Sequence, residues 1–236
     1  VLVWILMSPH FCYSTLPNDS DKPIHPLSQF ALASRLSYFL WSSMPDEQLL
    51  ASAARGELND PKIIKSHVRR MIRDDRIRGF AQQFAGNWLG YAGFENHKGV
   101  NRERFPKFDN QLREAMSREP AEFVIDLLRR DGSLLEFIDA DHTFVNDALA
   151  RHYGMEIDQL KPGQWKRVDK ASQYGRGGIL PMSVFLTKNA HALRISPVQR
   201  GYWVARQLLG ERIPPPPANV PELPQDESQT GEASLV

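Results

Sequence analysis

Hydrophobic side chains recur at three- and four-residue spacing through most of the first 155 residues, the period of helices with one buried face. The stretch 27–41, LSQFALASRLSYFLW, sets Leu27, Phe30, Leu36, Phe39 and Leu40 largely on one such face. Pro45 then opens a second helix, with Asp46 and Glu47 at its positive end. A third begins at Asp60 as N-cap with Pro61 in the first helical position, and buries Ile64, Val68, Met71 and Ile72. The next, DRIRGFAQQFAGNWLGYAGF, is expected to turn Ile77, Phe80, Phe84, Trp88 and Leu89 inward. Pro120 interrupts the pattern between Phe108 and Gly132, which predicts one kinked helix or two abutting ones.

Local end signals continue the series. Ser133 and Glu136 have capping-box spacing. A short helix runs from Asn146 to Gly154, a residue suited to a left-handed cap. The segment QWKRV is the one expected strand, and GGILPMSVFLTKN is expected to be helical after Gly178 with Pro181 in its first turn. The last helix starts at Ser196, with Pro197 at its first position and Gln199 three residues on. Val198, Tyr202, Ala205 and Leu209 form its expected inner face, and Gly210 its end. Four consecutive prolines, Pro214 to Pro217, favour an extended polyproline arm, and the polar tail after it has little to bury. The fold class is mostly α: a multi-helix bundle-like body, a smaller C-terminal helical part and a proline-rich extended arm.

Composition narrows the function classes. The 236 residues carry a formal net charge of +1, so there is no basic excess of the kind that marks a nucleic-acid binder. The interrupted basic run Lys65–Arg78 fits a solvated helix face. No apolar stretch reaches membrane-spanning length. The opening VLVWILM is too short, and lacks the basic flank, for a signal peptide, and a chain starting mid-pattern reads as part of something longer. Cys12 is the single cysteine, so the Cys-x-x-Cys-His device for covalent haem attachment cannot be built from this sequence.

Candidate chemistry is sparse. Arg194 and Arg200 flank the N-terminus of the last helix, where cations are unfavourable unless paired. Two readings stand: an anion or partner contact made with the free amides, or structural ion pairs with the body. Asp139, Asp141, His142 and Asp147 cluster in DADHTFVND, either as a cation site or, in the plainer reading, as helix caps. No His-x-x-x-His pair supports zinc among the seven histidines; His10 and His152 are the two with a conceivable axial-ligand role, against a packed or capping one.

Several segments taken together carry a resemblance. ILMSPHF, ALASRLSYFLWSSMPDEQLL, VRRMIRDDR, FAGNWL, DADHTFVNDALARHYG, RGGILPMSVFL and SPVQRGYWV, followed by PPPPANVPEL, resemble the large secreted cytochrome-like proteins of planctomycetes and related bacteria. Residues from about 28 to 155 resemble planctomycete secreted domain four, and those from about 174 onward the start of the third planctomycete cytochrome-like domain. The resemblance implies an order of parts. Residues 1–25 are the end of a preceding domain plus a linker, 26–156 a helical domain, 157–223 the start of the cytochrome-like domain with its proline arm, and 224–236 a mobile tail. It also implies a periplasmic or secreted location and haem c in the full-length protein, on a downstream domain that is this chain's expected partner. It carries over no catalytic residue. The first functional expectation is therefore a non-catalytic helical scaffold or docking module of a c-type cytochrome-like protein. The alternative is an enzyme domain acting on an extracellular substrate, which predicts a polar pocket holding two or more of Asp141, Arg194 and Arg200.

Overall fold

The computed structural model describes residues 2–9, 27–157, 160–161, 163–190 and 195–214. The described part is mostly α, with one two-stranded sheet. After a short N-terminal helix, α1 (Leu2–Leu6), the body starts with α2 (Gln29–Trp41), α3 (Glu47–Ala54) and α4 (Pro61–Arg73). Each begins where a side-chain oxygen meets an orphan amide. Ser28 accepts from the Ala31 N–H, Asp46 from Leu49 and Asp60 from Lys62. The long helix α6 (Asn110–Arg130) is capped by Asp109 and runs unbroken through Pro120 rather than splitting there.

The buried faces differ from those that bulk hydrophobicity suggests. In α2 the inner line is Ala33, Ser37, Leu40 and Trp41, whereas Phe30 and Phe39 are more than half exposed. The reason lies opposite, in α5, three consecutive pieces covering Arg78–Phe80, Ala81–Ala85 and Gly86–Leu89. A Cβ on Gly79 would sit 2.4 Å from the Trp41 carbonyl oxygen, so the two backbones touch. The small residues that α5 buries are Ala81 and Ala85, with Leu89 at its end and Ile77 buried just before its start.

Residues four apart drift around a regular helix of 3.6 residues per turn; the wider i→i+5 turn over Ala81–Ala85 winds that drift back. Phe80, Phe84 and Trp88 therefore form the outer line. Phe84 and Trp88 are substantially exposed, against expectation, and Phe84 packs against Phe39, Phe80 and Trp88 at ring separations of 4.9–6.3 Å. In α4 the deepest residues are His67 and Met71, with Val68 and Ile72 only partly covered.

The expected strand exists as β2 (Lys166–Asp169), but it has a partner that periodicity did not reveal. β1 (His142–Val145) pairs with it antiparallel, His142 opposite Asp169 and Val145 opposite Lys166. Before β1 comes α7 (Glu136–Asp139), and after it α8 (Asp147–Tyr153), capped by Asn146 and closed by Gly154 in the left-handed conformation. The Ser133 hydroxyl accepts from Leu135 N–H, while the Glu136 carboxylate is held mainly by Arg130 at 2.7 Å. Asp126 on α6 binds Arg130 at 2.7 Å and Arg167 of β2 at 2.9 Å, which ties the hairpin to the long helix.

The C-terminal part packs on the same core. Gly177, at φ +123°, passes so close to the Ala140 carbonyl oxygen that a Cβ would lie 2.4 Å from it. Ile179, Met182, Val184 and Phe185 follow into the core. Helix α9 spans Ser183–Lys188, so Pro181 precedes it instead of sitting in its first turn. Helix α10 (Pro197–Trp203) starts at the expected cap, Ser196 accepting from Gln199 N–H, and continues as a wide turn over Val204–Leu208. Its inner face is Trp203, with Val204 and Leu208 partly buried; Val198, Tyr202 and Leu209 are exposed, which corrects the expected stripe. No described helix is long and apolar enough to cross a membrane.

Candidate functional site

Among the described residues one concavity has a volume of about 720 Å³, within the roughly 300–1,000 Å³ usual for small-molecule sites. Its floor is apolar. Leu112 and Met116 come from the inner face of α6, Leu186 from α9, and Val100, Phe105 and Phe108 from the connection before α6. Its walls are basic, with Arg104, Lys107, His152, Arg176 and Arg200, and no carboxylate lines it among the described residues.

Two of those guanidinium groups are held in place without being neutralised. Arg176 lies over the Tyr153 ring, 4.0 Å from its centroid, and donates from Nη1 to the Pro181 carbonyl. Arg200 reaches the Leu186 carbonyl only through a long contact of 3.5 Å. The Nε atoms of both are buried and have no hydrogen-bond partner. Among the described residues, none of Arg104, Lys107, Arg176 and Arg200 forms a salt bridge. Loss of hydration against the wall, and then the Arg176 charge, hold the His152 imidazole below the ordinary histidine range.

Behind the wall lies a carboxyl that the sequence reading missed. Glu119 is fully buried on α6. It accepts 2.6 Å hydrogen bonds from the Thr143 hydroxyl of β1 and the Tyr153 hydroxyl of α8, and the Ser183 amide donates to that same Tyr153 oxygen at 3.0 Å. Burial pushes the Glu119 carboxyl up to about 7, against the opposing pull of the two hydrogen bonds and of Arg176. Burial, together with the adjoining Glu119, also drives the Tyr153 phenol well above its ordinary value. A signal was present: Glu119 continues the apolar line Leu112, Met116, Phe123, and a carboxylate in such a register must be satisfied internally.

A second arrangement pairs a buried histidine with a serine. His67 Nε2 lies 3.0 Å from the Ser52 hydroxyl, the separation of a nucleophile and its base. However, Arg70 Nη2 faces His67 Nδ1 at 3.5 Å. A guanidinium only donates, so this long contact favours the tautomer in which Nδ1 accepts and Nε2 donates to Ser52. Burial, and then Arg70, hold this histidine below its ordinary range.

The other expected site residues are dispersed. Arg194 lies outside the described residues, as do His10, Cys12, His25 and His191. Asp141 does not line the cleft; its exposed carboxylate accepts from the Ser172 amide at 2.8 Å, a bond that lowers its pKa. His142 is buried in β1, stacked on Phe123 at 5.0 Å, and Asp147 opens α8. Among the described residues no three His, Cys, Asp or Glu side chains are grouped to hold a metal ion. With one cysteine in the sequence, this chain's residues do not fit a covalently attached haem.

Comparison with known families gives two matches in order. Residues 27–155 match the family described as PSD4, protein of unknown function (DUF1592), and residues 176–235 match PSCyt3, protein of unknown function (DUF1588). No curated protein and no solved structure matches the chain.

Proposed function

We propose that this chain, which belongs to the PSD4 family of proteins of unknown function, is a non-catalytic helical module that positions a downstream haem-bearing part of a secreted or periplasmic c-type cytochrome-like protein. The PSD4 match followed by the PSCyt3 match supports the cytochrome-like setting. One structural observation carries the positioning role: a reciprocal latch at the C-terminal end. Trp203 of α10 donates its indole N–H to the Leu89 carbonyl of α5 at 2.8 Å, and Trp88 of α5 donates to the Gln207 carbonyl, also at 2.8 Å. Phe185 stacks on Trp203 with ring centroids 4.5 Å apart, and Lys188 donates to the Gly90 carbonyl. Two indoles bonded in opposite directions fix both the position and the rotation of the last helix. The chain therefore leaves the body along a set direction, towards a proline run whose composition favours a stiff arm. Such a geometry suits a support that presents a following domain at a fixed distance.

The test is a distance measurement. With Cys12 replaced by serine, spin labels at Arg69→Cys on α4 and Glu211→Cys beyond α10 should give a narrow distance distribution. Trp203→Ala, removing a large, nearly buried aromatic of the kind whose loss costs about 3–5 kcal/mol, should broaden it while helical content stays close to that of the parent. A broad distribution in the parent protein would overturn the positioning role.

The cleft supports a second reading, an enzyme domain acting on an extracellular substrate. Of the residues that reading named, Arg200 lines the cleft and Asp141 does not. Turnover of a substrate that is abolished by Arg200→Gln would decide for it over the scaffold.

A further inference from the structure

We infer that the basic cleft is a binding site for a small organic anion: a carboxylate carried on an aromatic or aliphatic body. The inference does not rest on the positioning role, since it needs neither the latch nor a downstream domain. Its first support is charge. Four basic side chains, Arg104, Lys107, Arg176 and Arg200, border one concavity, and among the described residues none of them forms a salt bridge with a carboxylate. The buried acid Glu119, which Arg176 influences, does not line the cleft and is hydrogen-bonded to Thr143 and Tyr153. Like charges gathered without compensation repel one another in the empty site, and an incoming anion relieves that repulsion.

The second support is desolvation. The Nε atoms of Arg176 and Arg200 are buried without a partner, although a guanidinium has donors arranged to match a carboxylate in pairs. The rigid placement of Arg176, over the Tyr153 ring and against the Pro181 carbonyl, means little side-chain freedom is lost on binding.

The third support is the floor, which excludes a bare inorganic anion as the best occupant. Val100, Phe105, Phe108, Leu112, Met116 and Leu186 present apolar surface, and Phe105 remains 45% exposed, able to lie against a flat ring. Sulfate or phosphate would leave that surface in water. An uncharged ring would leave the guanidinium groups unpaired. The site suits one molecule with both features.

The experiment uses 2-naphthoate, its neutral amide 2-naphthamide, and sodium sulfate, titrated into the full chain by calorimetry. The expected result is sub-millimolar binding of 2-naphthoate and about tenfold or weaker binding of both 2-naphthamide and sulfate, the scale on which a charge-assisted pair discriminates. Arg200→Gln should weaken 2-naphthoate about tenfold and leave 2-naphthamide unchanged. Because Arg176 also packs on Tyr153, the second variant is the exposed pair Arg104→Gln with Lys107→Gln, which should weaken the acid with an unaltered circular dichroism spectrum. Equal affinity for acid and amide, sulfate binding as tight as 2-naphthoate, or 2-naphthoate affinity insensitive to both variants would each overturn the inference.

Discussion

Gly79→Ala is expected to destabilise the protein by about 2–3 kcal/mol, although alanine is normally the better helix former by about 1 kcal/mol. The new methyl carbon would stand 2.4 Å from the Trp41 carbonyl oxygen and 2.7 Å from its carbonyl carbon. Both are backbone atoms of a neighbouring helix, so relief requires α2 and α5 to move apart. That movement disturbs a hub. The Trp41 indole donates to the Met71 carbonyl at 3.0 Å, Arg76 lies 3.5 Å over its ring, and Arg70 and Arg76 both reach Asp46, the cap of α3. For a domain of this size the loss corresponds to a melting temperature lower by about 5–10 °C. Gly201→Ala is the control. It sits in α10 with ordinary helical backbone and nothing within 4 Å of an added Cβ, so it should be neutral or raise the melting temperature slightly. Calorimetric melting of the two variants decides the matter. A Gly79→Ala protein as stable as its parent would mean that the helices do not cross at this residue.

The same crossing shows which features were legible in the sequence. Helix starts depend on a few adjacent atoms, and Asp60, Asn146 and Ser196 cap where local chemistry places them. Which face turns inward depends on the neighbour. Hydrophobicity alone selects Phe30, Phe39, Phe84 and Trp88, yet the residues buried are Ala33 and Ser37 on α2 and Ala81 and Ala85 on α5, and the two backbones meet where Gly79 passes the Trp41 carbonyl. The aromatics are displaced to the rim, where they stack on one another. Strand β1 was hidden for a similar reason. Four residues, two of them polar, carry no decisive period, and the hydrogen bonds that make them a strand come from residues 166–169.

The cleft was only partly legible. Arg200 stood out because it opposes a helix dipole, but its companions come from segments that each look like ordinary surface. NRERFPKF, with Arg104 and Lys107 alternating with Phe105 and Phe108, is the stretch whose pattern could have drawn notice. Arg176 in GRGG reads as a flexible turn until the fold shows why the glycines are there. Gly177 and Gly178 let the backbone pass against the carbonyls of Ala140 and Phe137, and that passage sets Arg176 beside Tyr153.

Glu119 provides the second large effect, a pH dependence of stability that a single amide substitution should remove. Folding raises its carboxyl from 4.5 to about 7, chiefly by burial. Between those values the unfolded chain has released the proton and the folded chain still holds it. Stability therefore falls as pH rises through this window, and the contribution is fully present only below about pH 4.5. At 1.36 kcal/mol per unit, the fall is about 3 kcal/mol from pH 4.5 to 7, flat outside it.

Other groups titrate nearby. His152 adjoins Tyr153, His142 stacks on Phe123, and both are held below their ordinary range by burial, so they favour the fold as pH rises and partly mask the trend. The Tyr153 phenol, raised by burial and by Glu119, stays neutral. Because those groups are common to both proteins, the clean observable is the stability of the parent minus that of Glu119→Gln, measured by urea unfolding from pH 4 to 8. The difference should drop by about 3 kcal/mol across the window, because glutamine keeps an acceptor for Thr143 or Tyr153 and has no proton to lose. A carbon-13 titration of the Glu119 carboxyl in the native protein gives an independent readout, with an inflection near 7. A difference that stays level with pH, or a carboxyl that titrates near 4.5, would show that this acid is ionised in the core, with the two hydroxyls and Arg176 together outweighing the cost of burial.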